Sequence, residues 1–435
     1  MLLFALPVFL GNVFQQLYNT FDAWCVGNYI GDNALAAVSS SGSLIFMMVS
    51  FFNGLAMGAG VVIARCFGAR HYDSMRKAIH TAIAFGLVTG AILTGLGVAL
   101  TPMVLRWMGT PAEVLPESIA YFRYYFLGAI FIVMYNIFVG ILHAVGDSRH
   151  PLYYLILSAS INVGLDMLFV AVFDWGVGSA AVATTISQGV SAVLCFVHLL
   201  RVKAPYRIQI REIRFHKQSF LEIIRYGIPS GVQNSVIALA NVFVQSNINA
   251  FGKAAMAGCG SYSKLEGFAF LPVTCFTQAL STFVGQNLGA GQHDRVKKGV
   301  AVGVICSCGM AEIIGLASYV FAPQLIGFFS ETQESISYGA AHMRTISPFF
   351  FLLAFSHCIA SVMRGAGKAT VPMFTMLACW CLFRVTYITI AVRHIPQLTT
   401  ISWAYPITWA LSSIVFLIYF FKADWIHTFD RQVSI

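Results

Sequence analysis

Gly31–Leu44 reads GDNALAAVSSSGSL, and Gly252–Leu265, 221 residues further on, reads GKAAMAGCGSYSKL. The same offset relates Phe67-Gly68-Ala69 to Leu288-Gly289-Ala290, Asp73 to Asp294 and Lys77 to Lys298. It also relates Arg123 to Arg344, Gly146 to Gly367 and Pro151 to Pro372, while Pro7 recurs one residue later as Pro229. Chance could supply one such match, but not an ordered series across half a chain. The chain is therefore read as two related halves.

The surrounding composition says what kind of halves these are. Of 435 residues, 58% are hydrophobic and only 10% charged, and the mean hydropathy is +0.76. Soluble domains carry about 25% charged residues, so this chain could not cover a water-facing surface. An ordinary cytosolic enzyme, a disordered protein and a secreted disulfide scaffold are all excluded. A helix needs about 20 apolar residues to cross the hydrocarbon. Twelve such runs are predicted, at about 2–28, 36–64, 78–101, 117–142, 151–173, 177–200, 223–250, 255–284, 299–322, 337–363, 370–392 and 400–421. Short alternating segments of the barrel type are absent. No signal peptide is evident, because the first run is long enough to span and no basic region precedes it. That run starts almost at Met1, so a short polar segment is expected to precede it in the full-length product. The ten cysteines lie scattered in apolar runs without a CxxC and read as small buried hydrophobes.

Lysine and arginine fix the orientation. With the loop after the second span taken as cytoplasmic, nineteen of the 26 cations fall in cytoplasmic connections and the C-terminus, among them Arg65, Arg76, Arg149, Arg201, Arg364 and Arg431. Arg106, Lys253 and Arg393 fall on the other side, and Arg123, Lys264, Arg344 and Arg384 lie in or near spans. This bias accounts for the net charge of +9 without nucleic acid. It predicts a multi-pass protein of the cytoplasmic (inner) membrane with both termini inside. Each half holds six spans, an even number, so both insert in the same orientation. The expected fold is all-α: two six-helix bundles related by a pseudo-two-fold axis along the membrane normal. Residues 1–200 form the first bundle, 201–222 a basic linker able to touch anionic headgroups, and 223–435 the second bundle. A central cleft between such bundles suits alternating access.

Of the 17 acids, Asp22, Asp166, Glu266 and Glu312 lie well inside spans. A carboxylate in hydrocarbon is costly, so each is a candidate for function. Asp22 and Asp166 sit six or seven residues before the predicted outer ends of spans 1 and 5, roughly 10 Å below that face. Thr184 enters span 6 to the same depth. Tyr18 and Asn162 each lie four residues before an acid, on the same helix face. Two carboxylates, an amide, a hydroxyl and a phenol thus converge in depth. Neighbouring buried carboxylates cannot both stay charged without a counter-ion. The pair is expected to hold a proton, or Na⁺ at Asp22, Asn162, Asp166 and Thr184, since oxygen ligands suit a hard cation. Separate hydrogen-bonded polar residues between helices are the plainer alternative. Against it, the repeat places Tyr387, Phe383 and Tyr405 opposite Asp166, Asn162 and Thr184. Scaffold residues would more often recur in both halves.

Further polar residues could line the cleft. Asn234, Asn241, Gln245 and Asn249 form one stripe on span 7, for which interhelical packing is an equal reading. Gln15 and Asn136 are weaker candidates. Glu266 could serve packing, gating or ion coupling, and Glu312 reads as structural. Pro7 is expected to bend span 1. The small residues Ser39–Ser43, Gly54, Gly58 and Gly60 in span 2 read as close helix packing. No GxxxxGK[ST], HExxH or GxSxG is present, which disfavours ATP drive and an enzymatic role.

The stretches YNTFDAWCVGNYIGDNALAAVS, FGARHYD, LGAGQHD, HAVGDSRHP, and NVGLDMLF followed by GVGSAAVATTISQ together resemble the bacterial type of the multidrug and toxic compound extrusion (MATE) family. The likeness covers nearly the whole chain. It implies a V-shaped pair of six-helix bundles and efflux of organic, often cationic, compounds in exchange for H⁺ or Na⁺. It also implies a cation site at Tyr18, Asp22, Asn162, Asp166 and Thr184, and a bend at Pro7. Some branches carry an essential acid on span 7, where this chain has Gln233 and Asn234. Expected partners are small organic substrates and the bilayer, with no nucleic acid and no cofactor beyond the coupling ion, and the chain is expected to act as a monomer. A lipid-linked oligosaccharide flippase of the same broader superfamily is the alternative. A flippase would favour a cationic cleft for the pyrophosphate, whereas the first half carries two acids. A passive channel is a third class, without gradient dependence.

Overall fold

A computed structural model describes residues 1–26, 29, 32–107, 113–173, 175–330 and 332–429. Gly31 of the repeat, Arg431 of the basic tail and the side chains of Ser39–Ser43 lie outside the described residues. The chain divides into two compact units, Leu6–Ile228 and Pro229–Ile435 together with Met1–Ala5. Among the described residues every regular element is helical.

The first unit contains α1 (Leu2–Cys25), α2 (Asp32–Gly68), α3 (Tyr72–Trp107), α4 (Leu115–Leu127), α5 (Ala129–Ala144), α6 (Arg149–Asp166) and α7 (Val177–Arg201). It also takes the first turns of α8 (Lys217–Asn249). The second unit continues through α9 (Lys253–Ala269), α10 (Leu271–Gly289), α11 (His293–Val320), α12 (Ala322–Gly327) and α13 (Gln333–Ile346). It ends with α14 (Phe350–Gly365), α15 (Thr370–Met376), α16 (Arg384–His394) and α17 (Leu398–Lys422). Both changes of unit, at 5/6 and 228/229, fall at or just before the repeat-equivalent prolines Pro7 and Pro229. Pro7 lies inside the continuous helix α1, and Pro229 inside α8.

Residues that are usually hidden are turned outward here. On α11, Val302, Ile305, Ile313, Leu316 and Val320, at spacings of three, eight, three and four that keep to one helix face, are 52–70% exposed. Leu87, Val88, Ile92, Leu96, Leu100 and Met103 do the same on α3. An apolar outer face of this extent is compatible with lipid rather than water. Among the described residues nine helical spans are long and apolar enough to cross a membrane, and ten if the α4–α5 pair, bent by 44° at Gly128, is one span. The chain is accordingly a multi-pass membrane protein. The two predicted spans that fall short are α1 and α8. They occupy equivalent places in the repeat, and both are diluted by amides: Asn12, Gln15, Gln16 and Asn19 in one; Gln233, Asn234, Asn241, Gln245, Asn247 and Asn249 in the other.

The repeat is also written in the backbone. Arg70 and Gly291, 221 residues apart, both adopt positive φ (58° and 67°), as do Gly146 and Gly367 (90° and 75°). These are the turns that end α2, α10, α5 and α14. Small residues allow close helix approach: a Cβ at Gly58 of α2 would meet the Gly227 backbone of α8, and one at Gly258 of α9 would meet Gly339 of α13.

The linker is folded onto the first unit. Arg76 of α3 donates to both carboxylate oxygens of Glu212 at 2.8 and 3.0 Å. The Gln209 backbone N–H donates to His80 Nε2 at 3.0 Å, and the His216 backbone N–H to the Thr81 hydroxyl at 3.1 Å. Arg65 near the end of α2 pairs with Glu222.

Candidate functional site

In the first unit the last turns of α1 and α6 and the early turns of α7 converge at one end. The reason is local. α6 ends at Asp166 in a π-helical stretch, Met167–Val172, and Gly176, at φ 77°, then turns the chain into α7. Such π-stretches often mark functional sites, because the extra residue re-aims side chains. The buried Ser158 hydroxyl donates to the Ser187 carbonyl at 2.6 Å and holds α6 against α7.

Asp166 and Asn162 are fully buried, Asp22 is 9% exposed and Tyr18 is 7% exposed. Thr184 is half-buried, and its carbonyl accepts from Ser187 at 2.9 Å. Asp22 and Asp166 lie within electrostatic range of each other and of Tyr121 and Cys25. The Tyr18 hydroxyl accepts from the Gln188 amide at 2.9 Å, and Gln15 lies within hydrogen-bonding reach of it. Gln188 is a participant that the motif reading left out. The available signal was its place four residues after Thr184, on the same face of α7.

The decisive feature is what these groups do not touch. Both carboxylate oxygens of Asp166, Oδ1 of Asp22, the amide oxygen and nitrogen of Asn162 and Oε1 of Gln188 are buried without a hydrogen-bond partner. Among the described residues neither acid takes part in a salt bridge. A buried, unpaired carboxylate is unstable unless a proton or a metal cation neutralises it. The donor set is almost wholly oxygen, which suits a proton or a hard cation.

The other predicted residues are distributed over both units. In the first, Gln15 is exposed, and the Asn136 amide donates to the Ile132 carbonyl at 2.8 Å. Asn136 and Asn53 line a void of about 10 Å³ with Val49, Phe52 and Tyr125, room for one water. In the second, Gln245 donates to Asn249 at 2.9 Å, and Asn241 accepts from Arg384 at 3.5 Å. Asn234 lies half-buried on the same helix. Glu266 accepts from the Tyr262 hydroxyl at 3.1 Å and is within electrostatic range of Arg384. Arg384 is 1% exposed, donates to Thr408 at 2.7 Å, and lies 5.3 and 4.6 Å from the rings of Trp380 and Tyr405. Arg364, counted above among loop cations, is 5% exposed and donates to Gln233 at 3.2 Å. It therefore does not count toward a cytoplasmic basic surface.

Outward apolar helices, a tandem repeat and one buried, uncompensated acidic pair define a multi-pass helical membrane protein with internal repeats. The chain belongs to the MatE family, whose model matches it twice, over residues 7–168 and 229–390. The two matches fall one on each half. Among relatives, the chain is 29% identical over 389 residues to the probable multidrug resistance protein YoeA of Bacillus subtilis, covering 87% of this chain and 84% of that one. It is 26% identical over 384 residues to the probable multidrug resistance protein NorM of Thermotoga maritima, with 86% and 82% coverage. Among solved structures, a MATE crystallised in the bent conformation superposes with a TM-score of 0.90 at 22% identity, covering all of this chain and 96% of that one. A multidrug resistance MATE family transporter of the MOP superfamily in an outward-facing conformation gives 0.89 at 22% identity, with 95% and 93% coverage.

Proposed function

We infer that this protein is a secondary active antiporter of the cytoplasmic membrane. It exports organic, cationic or neutral, drug-like compounds in exchange for H⁺ or Na⁺ by alternating access. The observation that carries this reading is the pair Asp22–Asp166, buried with three carboxylate oxygens unpartnered beside the unpartnered amide of Asn162. Such a pair needs a cation, and a cation that comes and goes can do work on a second equilibrium. Asp22 and Asp166 hold the coupling ion, Asn162 and Thr184 supply further oxygens, and Tyr18, fixed by Gln188, closes the site. The names of the relatives support multidrug compounds as the cargo. The flippase reading needs a cation free to meet pyrophosphate. Arg384 is already engaged by Thr408, Asn241 and two aromatic rings, which favours the exporter.

The test is efflux of a fluorescent organic cation from proteoliposomes with H⁺ and Na⁺ gradients imposed separately. One of the two gradients is expected to drive uphill transport. Equal downhill flux whatever the gradient would leave a channel or a flippase as the better account.

A further inference from the structure

We propose that Asp147, His150 and His198 form a binding site for a first-row transition-metal dication, Zn²⁺ foremost, separate from the Asp22–Asp166 pair. Asp147 follows Gly146, whose φ of 90° makes the turn out of α5, and His150 stands in the first turn of α6. His198 stands in the last turn of α7. One ligand atom from each of the three lies within 4.8 Å of the others.

The arrangement is prepared on both sides of the metal position. Oδ1 of Asp147 accepts from the amides of Arg149 and His150, both at 3.2 Å, which leaves Oδ2 for the two rings. That oxygen is 2.6 Å from Nδ1 of His150 and 3.8 Å from Nε2 of His198. The two rings lie 4.1 Å apart between centroids. The other nitrogen of His198, Nδ1, is 3.1 Å from the Tyr154 hydroxyl. Such an outer hydrogen bond fixes the ring and presents the remaining nitrogen to a metal. Nε2 is buried and has no hydrogen-bond partner.

Zinc takes nitrogen and carboxylate ligands at about 2.0–2.2 Å in a tetrahedron, so neighbouring donors lie roughly 3.3–3.5 Å apart. The present separations of 2.6 and 3.8 Å straddle that value, so binding needs shifts of less than about 1 Å in these two pairs. Two imidazoles and one carboxylate leave a fourth position for water, as in open zinc sites, and this donor set disfavours Mg²⁺ and Ca²⁺. A recess of about 350 Å³ lined by Tyr154, Leu194, Val197, His198, Arg201 and Val202 gives access. The side chain of His150 is 45% exposed. Arg149 and Arg201 are the nearby cations that a dication must tolerate. Asp147 offsets one of its charges. Metal bound here would clip the start of α6 to the end of α7, the helices whose other ends carry Asn162, Asp166 and Thr184.

The experiment uses the full chain purified in detergent, with any histidine tag removed, and Co²⁺ and Zn²⁺ alone as probes. Co²⁺ is expected to give visible absorption bands of a four-coordinate site that saturate at one equivalent and are displaced by Zn²⁺. Zn²⁺ is expected to raise the thermal midpoint. His150→Ala and His198→Ala are each expected to abolish both signals, and Tyr154→Phe to weaken binding by about 10–100-fold. His150 is exposed enough that its alanine variant keeps the test open should the buried His198 variant fail to fold. Absence of saturable binding by the wild type, or bands that persist in His150→Ala, would overturn the proposal.

Discussion

Asp166→Asn is the substitution on which the coupling argument turns. Asn is nearly isosteric, so packing is preserved while the charge is lost. The structure leaves three buried carboxylate oxygens and the Asn162 amide without partners. Each unmet buried acceptor costs about 1–3 kcal/mol, and an unpaired buried charge several more. Cation binding therefore has several kcal/mol to recover at this site. Only the part that differs between two conformations reaches the substrate, and couplings of about 1–3 kcal/mol correspond to 5–150-fold in affinity. The sign follows from the proposed antiport, in which the ion must weaken substrate binding. In wild-type protein the affinity for a fluorescent organic cation is expected to fall within that range as pH drops from 8 to 5, or as Na⁺ rises. In Asp166→Asn and Asp22→Asn the dependence is expected to vanish while the protein still inserts and remains monodisperse. The assay is fluorescence polarisation on purified protein, paired with gradient-driven efflux from proteoliposomes. Wild-type efflux by a well-folded Asp166→Asn protein would refute the reasoning, as would a flat affinity in the wild type under both titrations.

Four further outcomes are expected. Tyr387→Phe, at the repeat position of Asp166, is expected to transport at wild-type rates; a coupling defect would show that the second half takes part. A cysteine at Gln209, on a background without native cysteines, is expected to resist a membrane-impermeant reagent in intact cells and to react in inside-out vesicles; the reverse pattern would invert the topology. Gly58→Val puts a side chain against the Gly227 backbone and is expected to cost about 1–3 kcal/mol, read as a lowered thermal midpoint. By contrast, Arg76→Ala removes a pair that is 35% and 41% exposed and is expected to cost under about 1 kcal/mol.

The apolar runs and the 221-residue offset were legible because both follow from the simplest demands: lipid requires long apolar helices, and duplicated halves repeat their turns. Gly146 and Gly367 show why, since each must adopt positive φ to end a helix. The breaks inside spans were less legible. Pro272, at the start of α10, accounts for the interruption at Phe270, but it sits inside the apolar run 255–284, which reads as one span by length and hydropathy. Arg364 was misplaced for a related reason: a cation near a span end reads as a loop residue, and only packing reveals its bond to Gln233. The Asp147–His150–His198 cluster was hidden because His198 lies 48 residues from His150 and meets it only through the pairing of α6 with α7.

The asymmetry between the halves gains physical content from the contacts. Each half buries acid, but the second compensates its own: Glu266 accepts a hydrogen bond from Tyr262 and shares its surroundings with Arg384. Tyr405, the repeat counterpart of Thr184, lies against that guanidinium at 4.6 Å. Substituting an aromatic ring for a hydroxyl thus goes with an internal cation, and Glu266 is not left unmatched as Asp22 and Asp166 are. In the first half Asp22 and Asp166 meet Tyr18, Asn162 and Tyr121, none of which carries positive charge. Under the proposed function, neutralising Glu266 internally while leaving Asp22 and Asp166 unmatched builds a requirement for an external cation into the first repeat. That requirement is what a coupled exchanger needs: a site that is costly when empty, relieved by an ion, and therefore able to bias a conformational equilibrium.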